Sequence, residues 1–436
     1  MGSISESPAK GQLGSIFSTL PETPLDEPFA VNGAYKQDCN AQKVNLGIGV
    51  YRTSEGAAWP LRVVEETEKQ IYETGDVNRH EYLAIQGDQE FLTLASGLVF
   101  GFGEDKDSEP SMTEQQRQRV VSIQTVSGTG ANRLGAELLA RNVRPGCVWI
   151  PDPTWANHYT IWDLAGVPKK GYPYYDATYK TFDFEGTFRT LSTSAKANDV
   201  VILHACAHNP TGADPTQEQW KMLAQLCKEK GIIPFFDLAY QGFASGDAKK
   251  DAWAIRYFFQ ELHEVEFCVA QSFSKNFGLY GQRVGALHVA LSSTATNDTA
   301  SKLHANLCHL VRGEYSMAPR GGAEIVKTVL GNEHLRNKWQ EDLTTMSQRI
   351  QLMRNALFNE LIKLGTPGDW KHVINQASCF IGMFTYIGLT ENQVHAMTER
   401  HHIYLLKSGR ISISGLNEKN VRYVAMAIDD VIRTVD

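Results

Sequence analysis

No stretch of this 436-residue chain stays apolar over the roughly 20 residues that a membrane-spanning helix needs. No block of Lys and Arg stands out, and a formal net charge of -7 gives no cationic footprint for nucleic acid. Cysteine is scarce: seven residues without paired spacing, several of them inside apolar runs (Cys206, Cys268, Cys308). Thiols placed this way read as reduced rather than as a disulfide framework. The N-terminal stretch has no apolar h-region. It sets Glu6, Glu22, Asp26 and Glu27 against one lysine and no arginine, the reverse of a mitochondrial presequence. Met1-Gly2 invites myristoylation, yet Glu occupies position 6, where that motif wants Ser or Thr. The Gly47-Ile48-Gly49 pair lacks the third glycine of a dinucleotide-binding turn, which disfavours a nicotinamide enzyme. The expectation is a cytoplasmic protein that meets neither membrane nor nucleic acid.

What is present is an ordinary globular composition, 42% hydrophobic and 21% charged, on a chain long enough for two domains. Phe17 to Phe29 is a proline-punctuated arm, expected to form neither helix nor inner strand. Val44 to Tyr51 reads as a strand interrupted by two glycines. Val63 to Glu73 reads as a polar helix, and Gly103 to Gln118 as a charged linker. From residue 119 short apolar runs alternate with helical ones. Val120–Ile123, Cys147–Ile150, Val200–Leu203, Ile232–Phe236 and Phe267–Ala270 read as strands, with helices over Ala131–Arg141 and Pro215–Lys230. This alternation predicts a mainly parallel sheet covered on both faces. Leu335, Trp339, Leu343, Met346, Ile350, Met353, Leu357 and Leu361 step by three and four, which predicts one long helix ending at Gly365. Beyond it come strands at Ile381–Tyr386 and Ile411–Ser414, and helices at Glu391–Arg400 and Asn417–Val431.

The chemistry gathers around Ala270-Gln-Ser-Phe-Ser-Lys275, with Arg283 and Gly285 just beyond. A lysine at the mouth of a buried strand can be desolvated, which lowers its pKa and makes it a nucleophile toward a carbonyl. Ser272, Ser274 and Arg283 supply anion ligands beside it. A guest with both an aldehyde and a phosphate fits, and pyridoxal phosphate is such a guest; the alternative is a surface lysine after an edge strand. Asp237 ends an apolar strand and needs a cation, such as a pyridinium nitrogen, unless it is a buried capping carboxylate. Tyr240, three residues on, could reach the phenolic oxygen. Ser127-Gly128-Thr129 stands between a strand and a helix, which suits a phosphate and equally a plain helix cap. Trp155 reads as a stacking partner for a flat ring or as a core tryptophan. His204, Cys206 and His208 tempt a zinc reading, but no second cluster completes a tetrahedral set. No metal is expected, and Asn209 is the better ligand in that loop. Arg410 opens an apolar strand, where arginine usually meets a carboxylate in a two-bond fork.

Taken together these stretches resemble the aspartate aminotransferases over roughly residues 40 to 430. The likeness is carried by VNLGIGVYR, HEYLAIQG, SGTGANRLGAEL, PDPTWANH, HACAHNPTG, FFDLAYQGFASGD, SFSKNFGLYGQRVG and SGRISISGL, in the family's order and spacing. The resemblance implies a fold-type I enzyme dependent on pyridoxal phosphate: a mainly parallel seven-stranded sheet in a large domain (61-335), and a smaller α/β domain (336-436). Residues 1-60 would form an arm and part of the small domain, and a helix over about 333-364 would link the two. It implies a cytoplasmic homodimer with shared active sites, moving an amino group from aspartate to 2-oxoglutarate by a ping-pong route. Its rival is a same-fold enzyme broadened to aromatic or other amino acids.

Residue by residue, the resemblance makes Lys275 the Schiff-base lysine and proton shuttle. Asp237 would hold the pyridinium nitrogen with His158 behind it, and Asn209 and Tyr240 would hold the phenolic oxygen. Ser127, Gly128, Thr129, Ser272 and Arg283 would hold the phosphate, with Tyr82 from the other subunit. Trp155 would stack on the ring. Arg410, with Gly49 and Asn209 nearby, would take the substrate α-carboxylate; Arg312, helped by Ser316, would cross the dimer to the distal carboxylate. The chain departs from the family at Gly313-Glu314-Tyr315 (usually Ile-Thr-Trp), at Met317-Ala318 (usually Asn-Pro), at Gly281-Gln282 (usually Asn-Glu) and at Lys407 (usually Pro). These changes bear on substrate breadth and the dimer edge, and Glu314 sets a negative charge beside Arg312.

Overall fold

Apolar runs too short for helices pair edge to edge and bury both their faces. The computed structural model describes residues 15–23, 26–53, 56–57, 59–75, 77–102, 113–374 and 382–436. Among them, seven strands form one sheet: β1 (Val120–Val126), β2 (Val148–Asp152), β3 (Lys169–Pro173), β4 (Val200–His204), β5 (Ile233–Leu238), β6 (Phe267–Ser272) and β7 (Val284–Ala290). The order across the sheet is β1-β7-β6-β5-β4-β2-β3. Only β7 runs opposite in direction to the other six. Every residue of β4, β6 and β7 is buried. Successive residues face opposite sides of the sheet, so Phe235 joins one core with Ile202, Ala270 and Leu287, while Phe236 joins the other with Leu203 and Val269.

The helices include α1 (Glu27–Gln37), α2 (Ser127–Asn142), α3 (Asn157–Leu164), α4 (Asn297–Glu314) and α5 (Glu333–Leu364). The eight apolar residues predicted to line α5 are all buried. Asn332 caps its start by accepting from Leu335 N, and Gly365, at φ 63°, ends it. Arg354, within α5, is fully buried and donates to the carbonyls of Val373, Gly382 and Phe384. Phe384–Tyr386 pairs antiparallel with Arg410–Ser412, and Val44–Asn45 pairs in parallel with Ile403–Tyr404. The early chain is thereby tied to the late chain. No helix among the described residues is long and apolar enough to cross a membrane.

Several expectations need correction. The run Val44 to Tyr51 pairs only at Val44–Asn45. The arm ends earlier than expected, because Pro28 falls in the first turn of α1, where its missing N–H costs nothing. The last helix begins at Val421 rather than Asn417; Asn417 instead folds a turn by accepting from Lys419 N and Asn420 N. The strands β3 and β7 add to the expected set. Of the expected linker, residues 103–112 lie outside the described residues, and Glu114–Arg117 is a helical turn closed by a Thr113/Gln116 capping box. Ile381, in the expected strand to Tyr386, also lies outside them.

Candidate active site

The carboxyl ends of β1, β4, β5 and β6 surround a cavity of about 120 Å³. Ligands in open α/β sheets bind at such ends. Ser127, Gly128, Thr129, Trp155, Asn209, Asp237, Tyr240, Ser272, Lys275 and Arg283 all line it, so residues far apart in sequence converge there.

Asp237, 6% exposed, projects from the end of β5. Its Oδ2 is 3.0 Å from His158 Nε2, and the far nitrogen of that ring, Nδ1, is 2.9 Å from Thr154 Oγ1. The same hydroxyl lies 3.2 Å from His204 Nε2. Burial pushes the Asp237 pKa up. The His158 hydrogen bond and charge, with His204 and Lys275 further away, outweigh burial and leave the carboxyl below its ordinary range. A buried carboxylate held ionised at a cavity wall is a site for a cation. His208 does not join a metal set: it stacks on Tyr174 with ring centroids 3.6 Å apart, and burial depresses both His204 and His208. No group of metal-ligating side chains occurs among the described residues.

Opposite Asp237 stands a cradle of hydroxyls. Ser127 opens α2 at φ 62° and Arg283 precedes β7 at φ 55°; Ser127 N donates to Arg283 O at 3.1 Å. These left-handed turns close on Gly285, where a Cβ would fall 2.5 Å from the Ser127 carbonyl carbon. Ser127 Oγ is 2.8 Å from Ser274 Oγ and 3.4 Å from Ser272 Oγ. Three hydroxyls, a helix N-terminus and the Arg283 guanidinium make an anion site.

Lys275 lies between these two features, in the turn after β6, with Nζ 5.4 Å from the centroid of the buried Tyr240 ring. Burial pushes its pKa down; Asp237 pulls it back up, and Arg283 lowers it further. Burial likewise raises the Tyr240 hydroxyl, against the pull of Arg410. Trp155 meets His158 edge-on at 5.2 Å and forms one side of the cavity.

Arg410 is 5% exposed and has no carboxylate partner among the described residues. Its Nη1 donates to Asn209 Oδ1 at 3.2 Å, its Nη2 donates to the Gly47 carbonyl, and its Nε is buried without a partner. Because the Asn209 oxygen is engaged by Arg410, the amide nitrogen of Asn209 is left to donate into the cavity. Asp214 steadies that loop by accepting from Ala207 N at 2.7 Å and His208 N at 2.9 Å. The Phe384 ring lies under the Arg410 guanidinium at 4.2 Å. Gly49 sits against that ring, with room for no Cβ: one would lie 2.7 Å from Phe384 Cζ.

Two expected residues are elsewhere. Arg312 is exposed on the last turn of α4, with Ser316 Oγ as its hydrogen-bond partner. Tyr82 is 85% exposed. The two belong to neighbouring surface: Leu83 N approaches Met317 Sδ at 3.2 Å, and Arg320 donates to the carbonyls of Glu81 and Tyr82. Sequence reasoning does not anticipate Thr154, His204 in its linking role, or Phe384. Thr154 stands four residues before His158, a spacing that brings side chains together in helical turns. Phe384 carries no signal of its own.

An amine, a buried carboxylate, an anion cradle and an unpaired arginine on this sheet define a cofactor-dependent α/β enzyme of fold type I. The sequence matches the family of class I and II aminotransferases over residues 41–428. It is 50% identical over 418 residues to an L-tyrosine:2-oxoglutarate aminotransferase of Aspergillus ustus, covering 95% of this chain and 78% of that one. To the cytoplasmic aspartate aminotransferase of Saccharomyces cerevisiae it is 42% identical, covering 96% and 97%. The fold superposes on the solved aspartate aminotransferase from Saccharomyces cerevisiae cytoplasm with a TM-score of 0.91 at 41% identity, covering 97% and 99%. It also superposes on an aromatic-amino-acid aminotransferase from Burkholderia pseudomallei, covalently bound to pyridoxal phosphate, with a TM-score of 0.87 at 36% identity, covering 96% and 100%. The chain belongs to the class I and II aminotransferases, a family that uses pyridoxal phosphate to exchange amino groups between amino acids and 2-oxo acids.

Proposed function

We propose that this enzyme carries pyridoxal phosphate covalently on Lys275 and moves the amino group of L-aspartate to 2-oxoglutarate, giving oxaloacetate and L-glutamate by a ping-pong route. The observation that carries the reading is the cavity itself: a depressed amine between an ionised buried carboxylate and an anion cradle, with an unpaired arginine beside it. The donor set fits the cofactor. Ser127, Gly128, Thr129, Ser272 and Arg283 would hold its phosphate, and Asp237, backed by His158, would keep its ring nitrogen protonated. Asn209 Nδ2 and the Tyr240 hydroxyl would hold its phenolic oxygen, and Trp155 would cover its face. When bound, the cofactor supplies the electron sink that makes the substrate α-proton acidic. Lys275 Nζ accepts that proton and returns it, and its lowered pKa suits both directions. Arg410 grips the α-carboxylate and fixes the α-carbon over the amine.

Arg312 and Tyr82 point to solvent in one chain, which supports a homodimer in which Arg312 and Ser316 of a second copy take the distal carboxylate and its Tyr82 joins the phosphate. Exposed Ile16, Phe17, Leu20 and Phe29 add an apolar arm suited to lie on such a partner. Residues 61–335 would then be the large domain, with the remainder forming the small domain and arm. Cytoplasmic aspartate aminotransferases among the relatives support a cytoplasmic location.

A second reading, preference for aromatic donors, is favoured by the 50% identical tyrosine enzyme and by the changes at Gly313–Tyr315 and Met317. A steady-state screen of amino donors with 2-oxoglutarate decides between them. Aspartate as the best donor supports the proposal. A tyrosine or phenylalanine kcat/KM above that of aspartate overturns it in favour of the second reading.

A further inference from the structure

α4 ends in a residue that ought to weaken it. Glu314 puts a carboxylate at the carbonyl end of a helix, where the dipole favours cations, and it does so two residues from Arg312. Residues two apart lie on opposite sides of a helix. Glu314 accordingly turns from Arg312 toward α2, where its Oε1 lies 3.8 Å from Arg133 Nε. Arg133 Nη2 also reaches Glu137 Oε2 at 2.8 Å, and Glu137 pairs in addition with Arg141. Arg133 Nη1 is buried and without a hydrogen-bond partner. Burial raises the Glu314 pKa, and the charged groups that act on it are Arg133, Glu137 and Arg141, with Arg312 not among them. The next residue, Tyr315, packs against the core that α2 helps to form.

We propose that Arg133, acting through Glu314, is a positioning residue for Arg312: it pins the last turn of α4 and cancels the carboxylate there, leaving Arg312 free for the second carboxylate of a dicarboxylic substrate. This rests on the reading of Arg312 as the distal-carboxylate ligand. Without Arg133, Glu314 loses its ion-pair partner at the helix end and keeps only the weaker pull of Arg141. The turn frays, and the field of Glu314 subtracts from that of Arg312. Because α2 begins at Ser127, the helix that would hold phosphate in one site would also steady the arginine lent to the other.

The test uses the holoenzyme and two readouts, kcat/KM and calorimetric affinity for succinate, a dicarboxylate without an amino group. In Arg133→Gln, kcat/KM for aspartate and succinate affinity fall roughly fivefold to tenfold, the size of one partly screened charge. The loss enters through KM, while phenylalanine turnover and 3-phenylpropionate affinity hold. Adding Glu314→Gln to Arg133→Gln brings aspartate and succinate back to within about twofold of wild type, the signature of a coupled pair. Equal losses for aspartate and phenylalanine, or no recovery in the double variant, overturn the proposal. If Arg133→Gln does not fold, Arg133→Lys and Glu314→Gln serve instead: both keep succinate affinity within about twofold, and a loss of roughly tenfold in either overturns it. Arg312→Leu is run beside them. If it fails to separate aspartate from phenylalanine, the underlying reading has failed; if it separates them and Arg133→Gln does not, only this inference falls.

Discussion

Asp237 and Arg312 are two charges that one reaction would use, yet their surroundings are opposites. Asp237 is sealed at the end of a central strand and fixed through His158 and Thr154 to His204. Arg312 stands in solvent at a helix end, hydrogen-bonded to Ser316 alone among the described residues. The first belongs to a cavity whose lining in one chain is buried or half-buried. The second belongs to an exposed face that holds Tyr82 as well. If Arg312 reads the substrate side chain as proposed, the difference teaches that cofactor chemistry and side-chain selection would be built on separate parts of the molecule, so that one could vary while the other stays fixed.

The largest effect should come from the sealed region. Lys275→Ala would remove the proposed proton carrier, and turnover should fall by at least about 10⁴-fold. The cofactor should still bind through the phosphate cradle, visible as retained absorbance after gel filtration. Loss of cofactor binding with the lysine would mean that the cradle is not the anchor. Next come the arginines, since truncating one partner of a desolvated charge pair costs on the order of 2–5 kcal/mol, or roughly thirty- to several-thousand-fold in kcat/KM. Arg410→Leu should damage every amino donor alike. Arg312→Leu should damage aspartate and glutamate and spare phenylalanine, and equal losses would show that Arg312 does not read the side chain.

A smaller effect should come from single hydroxyls. Ser272→Ala and Tyr82→Phe should each weaken cofactor affinity, measured by equilibrium dialysis, by roughly 10- to 100-fold, the value of a hydrogen bond to a charged group. A change at Ser272 without one at Tyr82 would separate the exposed face from the phosphate.

How far the sequence reveals these regions follows from the same contrast. Strands buried on both faces announce themselves as unbroken apolar runs, so β4, β5 and β6 are legible, as is the three-and-four stepping of α5. β3 is not, because Lys169 and Lys170 at a sheet edge leave no apolar pattern. β7 is hidden for another reason: its run begins within the glycine-marked stretch after Lys275, which reads as a continuation of the turn. Lys275 and Asp237 stand out because a charge at the end of an apolar strand is costly. Thr154 and Phe384 do not, since neither is unusual until folding brings His204 or Arg410 against it. The pairing of Glu314 with Arg133 is equally invisible: the sequence places Glu314 next to Arg312, and only the packing of α4 on α2 turns it away.

The claim that each active site takes Lys275 from one chain and Arg312 from the other is tested most directly by hybrid dimers. Lys275→Ala homodimers should be inactive, and Arg312→Leu homodimers nearly so toward aspartate. Unfolded and refolded together, the two chains should pair at random, so that half of the dimers are hybrids. Each hybrid carries one site with both lesions and one with neither, which should restore about a quarter of wild-type aspartate activity for independent sites. Activity that stays at the sum of the two parents, with hybrid formation verified by mass, would contradict the shared site.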